Sequence, residues 1–369
     1  MQKIVVLSHR DIKHREAGGA SLYVHEISKR LSDRYNFTIL STAQRDLPST
    51  ETIDGIKIVR VPFPRFCRLS IPTSLKLGLG GQPDLVIDNG DVGVPWLSPV
   101  FTRTPKIALI YQVAGDIFRY ELERPLSDIA MRFEPWIYRL YRNSRIITCS
   151  PSTREDLVKA GLPPKNITVI RPGLEDSFLK FQPSGRKFDD PTIICISRFK
   201  HYKGLGFAVE AMKHVLEKLP STKLIIVGNG DSSELERNVS KLNCRKSIEI
   251  IKRVPNTWNE EKRTLLSRSR LLLVPSVREG YGIVIIEANA CGTPAIGWAV
   301  PGVQDSILDG KTGMLVPFGD VDALATTITK CLSEPQITEN LSRSAIDWAR
   351  QHSWDTAAEQ FGKAIDSSL

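Results

Sequence analysis

The sequence predicts an α/β protein built from two doubly wound, Rossmann-like parallel-sheet domains. Three observations predict it. Short apolar runs alternate with amphipathic stretches, the pattern of strands separated by helices. The alternation breaks in a stretch rich in Pro, Gly and charge, R-P-G-L-E-D-S-F-L-K-F-Q-P-S-G-R-K-F-D-D-P, and then restarts. Several apolar runs end in glycine-containing turns just before a helix pattern, and ligands bind at that end of open α/β sheets. A chain of 369 residues is also long for one domain and suits two.

Residues 3–7 read as the first strand. Residues 20–31 read as a helix, because Leu22, Val24, Ile27 and Leu31 recur at helical spacing on one face. Residues 37–40, 56–61, 85–87, 107–111, 145–148 and 166–170 are the further strands of this half. The restart comes at 191–197, followed by a helix over 205–219 and a strand over 223–227 that ends in G-N-G. Strands follow at 248–251, 271–274, 294–296 and 314–316, and residues 354–365 read as a last helix. The expected divisions are 1–173, a linker at 174–190, a second domain at 191–350, and a C-terminal helix within 351–369. No repeat at solenoid period and no heptad run is present.

Hydrophobic content of 41% and charged content of 25% place the chain among soluble globular proteins. The cysteines at 67, 149, 195, 244, 291 and 331 form no CxxC pair and several sit in apolar runs. They read as small buried side chains in a reducing compartment, not as a disulfide or zinc framework. The opening M-Q-K-I-V-V-L-S-H-R is too short for the apolar core of a signal peptide, and no run is long enough to cross a bilayer. The expected location is the cytoplasm, including peripheral attachment to the inner face of the membrane. A net charge of +9 would suit nucleic acid, but no motif for it is present. An anionic membrane surface needs only scattered Lys and Arg and fits better. A solvated basic surface without a partner is the plain alternative.

The chemistry concentrates in R-E-G-Y-G-I-V-I-I-E-A. An apolar run, 271–274, ends at Pro275. A glycine turn follows (Gly280, Tyr281, Gly282), then a segment with helix potential, 283–290. A helix start offers free N–H groups and partial positive charge, so it suits a phosphate. Glu279 and Glu287 lie eight residues apart, about 12 Å along a helix axis. Two carboxylates so spaced can accept from hydroxyls at the two ends of a nucleotide-sugar. An ordinary buried strand–loop–helix unit with incidental carboxylates is the alternative.

Two further places favour the first reading. Gly18-Gly19 directly precedes the first helix, where the lack of Cβ lets a ligand approach the backbone. Arg198 and Lys203 follow the strand at 191–197 at its ligand end and can together neutralise a diphosphate. Cations at a helix start are unfavourable without an anion. V-G-N-G-D is only a GxG, so Gly228 and Gly230 are given a turn role. His9, His14 and His25 lack zinc-like spacing and are read as solvated or structural.

With these motifs the chain resembles the retaining glycosyltransferases of family 4, which have the GT-B fold of two domains facing across a cleft. The resemblance covers nearly the whole chain. It implies that Glu279 lies at the donor sugar and Glu287 binds the ribose hydroxyls. It implies that the amides of Gly282, Ile283 and Val284 face sugar and diphosphate, with Gly18 and Gly19 facing the diphosphate from the first domain. Arg198 and Lys203 would bind the diphosphate and stabilise the departing nucleotide. Arg253 and Val254, in I-I-K-R-V-P-N, would contact the base through the backbone. The last helix would return to the first domain.

The chain departs from the family at one position. Most members carry a His after the strand matching 107–110, near the anomeric centre. Here A-L-I-Y-Q-V-A-G-D-I-F-R-Y-E places Tyr111 there, with Asp116 nearby. A phenol donates a hydrogen bond as imidazole does, but does not accept a proton near neutral pH. Front-face transfer, usual for the family, lets the leaving phosphate take the acceptor proton, so Tyr111 is compatible with activity.

The expected function is retaining transfer of a hexose from a UDP- or GDP-linked donor to a glycan, lipid-linked or other hydroxyl acceptor, with neither cofactor nor metal. A basic, apolar segment at 62–80, with Arg65, Arg68 and Lys76 among Phe66, Leu69, Leu75, Leu77 and Leu79, could lie on an anionic membrane and receive such an acceptor. It could equally be an amphipathic helix packed on the sheet. Tyr111 motivates the rival reading, a GT-B scaffold that binds nucleotide or glycan without transfer. An epimerase or phosphorylase of the same fold is disfavoured by the intact set of Arg198, Lys203, Glu279 and Glu287.

Overall fold

A computed structural model describes residues 1–62, 73, 75, 82–90, 95–183, 185–242, 244–252 and 258–369. It divides into two compact units. The first comprises residues 1–118, 124–173 and 353–369, and the second residues 119–123 and 174–352. The protein is α/β, with one largely parallel sheet in each unit.

The first sheet contains β1 (Gln2–Leu7), β2 (Tyr35–Thr42), β3 (Thr50–Ile53), β4 (Ile56–Val61), β5 (Leu85–Gly90), β6 (Lys106–Ile110), β7 (Arg145–Thr148) and β8 (Ile167–Val169). Their order is β3-β4-β2-β1-β5-β6-β7-β8. All neighbours pair in parallel except β3 and β4, which form an antiparallel hairpin. The sequence reading missed β3. Its signal was T-I-D-G-I, a two-residue turn whose Asp54 and Gly55 adopt φ of +48° and +79°. β1 lies between β2 and β5, so its carboxyl end is a point where the strand order reverses.

Helices Gly19–Arg30 and Trp354–Asp366 pack on one face of this sheet. The second follows the helical spacing of Trp354, Ala357, Ala358, Phe361 and Ile365, all buried among Ile4, Tyr23, Val24 and Phe37. Ser353 caps it by accepting from the Asp355 amide at 3.1 Å. Tyr23 meets the Trp354 ring edge-on at 5.5 Å. Helices Leu126–Arg139 and Pro151–Lys159 contribute Tyr138 and Leu157 to a separate core with Ala108, Ile110 and Ile146.

The second sheet contains β9 (Thr192–Ile196), β10 (Lys223–Gly228), β11 (Ile248–Lys252), β12 (Leu271–Val274), β13 (Ala295–Trp298) and β14 (Gly313–Val316). Its order is β11-β10-β9-β12-β13-β14, parallel throughout. The central strands β9 and β12, T-I-I-C-I and L-L-L-V, are almost wholly apolar and buried, as a sheet covered on both faces requires. Strand order reverses between β9 and β12.

Residues 174–190 hold to the second unit. They include a helical turn, Asp176–Leu179, with Phe178 buried. Lys187 donates to the carbonyls of Ser267 (2.9 Å) and Ser269 (2.8 Å), and burial lowers its pKa to about 8. Apart from Pro62, Thr73 and Leu75, the segment 62–80 lies outside the described residues, as do Arg253 and Val254.

Candidate active site

In the second unit the loops leaving β9 and β12 form the site. The β9 loop carries Arg198 and a short turn, His201–Lys203, before helix Leu205–Lys218. The β12 loop carries Ser276 and Glu279 before helix Ile283–Ala290. The loops are seamed together: the Val277 amide donates to the Tyr202 carbonyl at 2.8 Å.

Their side chains converge. Lys203 Nζ donates to Glu279 Oε1 at 2.6 Å, and Ser276 Oγ donates to the same oxygen at 2.7 Å. Both partners of the ion pair are largely buried, with side chains 12% and 15% exposed. Burial opposes the Lys203 charge, but the Glu279 carboxylate outweighs it and raises the lysine pKa. Arg198 Nη2 donates to the Tyr202 hydroxyl at 3.0 Å, and the Lys203 ammonium lies 4.9 Å from the centre of that ring. Tyr202 thus contacts both cations, and Glu279 is the carboxylate paired with Lys203.

The backbone beside Glu279 is tightly constrained. Its amide donates to the Pro301 carbonyl at 3.1 Å. Gly302 has φ +83°, and a Cβ there would lie 2.0 Å from the Glu279 carbonyl oxygen. Only glycine permits that approach. Gly282, also left-handed at φ +78°, caps the helix start. Gly282, Ile283 and Val284 are partly exposed, while Ile285 to Ala290 are buried. The helix is therefore sunk in the core with its amide-bearing end open, the arrangement that accepts an anion.

The structure corrects the spacing of the two glutamates. Helix begins only at Ile283, so four of the eight steps from Glu279 to Glu287 are helical, a rise of about 6 Å and not 12. Glu287 is itself buried, with its side chain 5% exposed, and Lys262 Nζ lies 2.5 Å from its Oε2. Tyr281, between the two, is held by a buried contact of its hydroxyl with His352 Nε2 at 2.6 Å. His352 Nδ1 lies 3.0 Å from the Trp348 carbonyl and so carries the proton, which leaves Nε2 to accept from Tyr281.

The first unit brings Tyr111 to Gly18 and Gly19. Tyr111 is the first residue beyond β6, and its hydroxyl donates to the Ala20 carbonyl at 3.1 Å, one residue into the helix that Gly18 caps. Its ring also meets Tyr23 edge-on at 5.5 Å. Gly18 is extended, and nothing lies within 4 Å of where its Cβ would be. No internal contact demands glycine there, so the open space is available to a ligand. The loop before it is fixed by Asp11, which takes a two-pronged bond from Arg60 at 2.8 and 2.9 Å and a third from Ser41 at 2.7 Å. Burial would raise the Asp11 pKa, but these donors bring it below the usual value.

His14 and His25 are buried, and His25 Nε2 bonds Asp54 at 2.9 Å. Among the described residues no group of three His, Cys, Asp or Glu side chains is poised to hold a metal.

Two family models divide the chain between them. The model described as Glycosyltransferase Family 4 matches residues 17–178, and that described as Glycosyl transferases group 1 matches residues 176–348. The chain belongs to the family 4 glycosyltransferases. Its fold is GT-B. The D-inositol 3-phosphate glycosyltransferase of Mycobacteroides abscessus is 24% identical over 95% of this chain and 85% of its own. The GDP-mannose-dependent alpha-(1-6)-phosphatidylinositol monomannoside mannosyltransferase of Mycolicibacterium smegmatis is 26% identical over 65% of each chain. Among solved structures, sucrose-phosphate synthase from Thermosynechococcus elongatus superposes with a TM-score of 0.83 at 20% identity, covering 100% of this chain and 99% of that one. Anabaena HepE in complex with UDP-glucose superposes with a TM-score of 0.77 at 19% identity over the whole of both chains.

The sequence reading of this glycosyltransferase missed Ser276, Tyr202, Lys262, Gly302 and His352. Ser276 and Tyr202 were within reach, three residues before Glu279 and one before Lys203. Lys262 and His352 had no local signal, because only tertiary packing brings them to Glu287 and Tyr281.

Proposed function

We propose that this glycosyltransferase moves a hexose, with retention, from a UDP- or GDP-linked sugar to a hydroxyl of a glycan or lipid-linked acceptor. The observation that carries the reading is the convergence of Arg198, Lys203 and Glu279 beside the open helix start at Gly282 to Val284. Those amides and the two cations suit a diphosphate. Glu279 suits a sugar hydroxyl, and Glu287 the ribose diol. In the proposed step the bond from the anomeric carbon to the diphosphate oxygen breaks, and the acceptor oxygen bonds the same face. The acceptor proton passes to the departing diphosphate, whose growing charge Arg198 and Lys203 meet. The same two cations supply the charge compensation, so neither metal nor cofactor is part of the proposal. The proposed compartment is the cytoplasm. The relatives' names support a sugar donor of this class: GDP-mannose for one, and UDP-glucose bound in a neighbour of like fold.

One observation favours a second reading. The Tyr111 hydroxyl already donates to the Ala20 carbonyl, so it supplies neither base nor free donor at the position where the family carries His. A scaffold that binds nucleotide without transfer would tolerate this.

Mass detection of slow hydrolysis across a panel of nucleotide-sugars separates the two. Turnover of one donor or a few, by the purified chain, supports transfer and names the donor. Measurable nucleoside diphosphate binding with silence on every donor favours the scaffold.

A further inference from the structure

Helix Leu126–Arg139 is amphipathic in the wrong sense for a core helix. Its inward side is polar: Ser127 and Glu134 are buried with Tyr138. The Glu134 carboxylate accepts from the amides of Ala114 (2.6 Å) and Gly115 (2.8 Å) and from the Tyr138 hydroxyl (2.6 Å). Its outward side is apolar. Leu126 is 60% exposed, Ile129 48%, Phe133 59%, Trp136 63% and Leu140 47%. These positions are spaced by three and four residues, which draws one narrow stripe along the helix. A surface helix normally turns such a stripe to the core. Large exposed stripes rimmed by polar groups mark interaction sites.

Charge decides what fits the stripe. The exposed charged residues from Arg124 to Arg142 are Arg124, Asp128, Arg132, Arg139 and Arg142. Asp128 is offset by Arg124, 3.8 Å away, which leaves three arginines in excess. Arg139 stacks its guanidinium 4.8 Å from the Trp136 ring centre, at one flank of the stripe. The helix of 14 residues is too short to span a bilayer but long enough to lie along one. Apolar aromatic residues flanked by arginines match the acyl–headgroup boundary of an anionic membrane, where tryptophan rings also settle. A second copy of the chain fits less well. Self-association through this face would set Arg132, Arg139 and Arg142 of one copy against those of the other, and like charges so placed repel.

We infer that this face docks the protein on an anionic lipid bilayer, with Leu126, Ile129, Phe133, Trp136 and Leu140 immersed and Arg132, Arg139 and Arg142 at the headgroups. Such docking does not depend on the identity of the donor.

The test is co-sedimentation of the full chain with vesicles of phosphatidylcholine alone and of phosphatidylcholine mixed with phosphatidylglycerol. The chain should pellet with the mixed vesicles only. Phe133→Ser/Trp136→Ser should weaken that binding about tenfold or more, because two large side chains lose their burial. Arg132→Glu/Arg139→Glu should weaken it comparably at low salt. All these side chains are exposed, so the variants should fold, and donor hydrolysis should be unchanged. Failure to pellet with the mixed vesicles would overturn the inference. So would equal pelleting by the variants, or a self-association seen by sedimentation velocity without lipid and abolished by Phe133→Ser/Trp136→Ser.

Discussion

Lys203 and Glu279 sit 76 residues apart in sequence, yet their side chains close to 2.6 Å at the carboxyl ends of adjacent strands β9 and β12. Each neutralises the other. A diphosphate entering the site would draw on the lysine and loosen its hold on the carboxylate.

Lys203→Ala should slow turnover and also cost stability, because it leaves the largely buried Glu279 carboxylate without its partner. Removing one preorganised charge that meets a leaving group slows reactions by about 10²–10³-fold. Arg198→Ala should act in the same direction. Turnover of the matched donor is compared with the urea midpoint of each variant. Wild-type turnover in both folded variants would remove the pair from the chemistry.

Glu287→Ala should weaken nucleoside diphosphate binding by about 1.5–3 kcal/mol, the value of a charged hydrogen bond. Lys262→Met should do so as well, because it leaves the buried carboxylate without its counterion 2.5 Å away. Calorimetry with the nucleoside diphosphate reads both. Unchanged affinity in Glu287→Ala would count against the ribose assignment.

Tyr111→Phe should lower stability by about 1 kcal/mol, the net worth of its bond to the Ala20 carbonyl, and should leave most of the transfer rate intact. Chemical denaturation and donor turnover are measured on the same preparation. Unchanged stability with a large loss of turnover would mean that the hydroxyl serves the sugar and not the helix.

The Asp11–Arg60 pair predicts an acid limb of stability. Burial raises the Asp11 pKa, the bonds from Arg60 and Ser41 lower it, and the net is below the ordinary value. The resulting stabilisation is fully present above the unfolded value of about 4, and it is lost as pH falls through the lower folded value. Asp11→Asn should cost about 3 kcal/mol at neutral pH, since it leaves a buried guanidinium short of one partner. It should also flatten the decline of unfolding free energy below about pH 4. An equally steep decline in the variant would assign the acid limb to other carboxylates.

The parts legible in the sequence were those with local causes. β12 and helix Ile283–Ala290 were readable because an apolar run, a proline and a glycine turn follow one another within 20 residues. Arg198 and Lys203 were readable because the end of β9 is a defined place in such sheets. Tyr111 was singled out by the resemblance, which sets it where the family carries His, but its bond to Ala20 spans 91 residues and had no local signature. The glutamate spacing was misjudged because a helical rise was applied to a turn. Helix Leu126–Arg139 was not read, although Leu126, Ile129, Phe133, Trp136 and Leu140 recur at helical spacing; that the stripe faces away from the core is a tertiary fact that no local pattern carries.

The second unit is an insertion into the first, which resumes at Ser353. A ribosome therefore delivers residues 1–173 without Trp354, Phe361 and Ile365, three of the side chains that cover Ile4, Tyr23 and Phe37. At about 5–20 residues per second, the intervening residues 174–352 take roughly 10–40 s to emerge. For that interval helix Gly19–Arg30 covers that face of the nascent sheet without its C-terminal companion. A stop codon a few residues before Trp354 would damage the unit made first and spare the one made last.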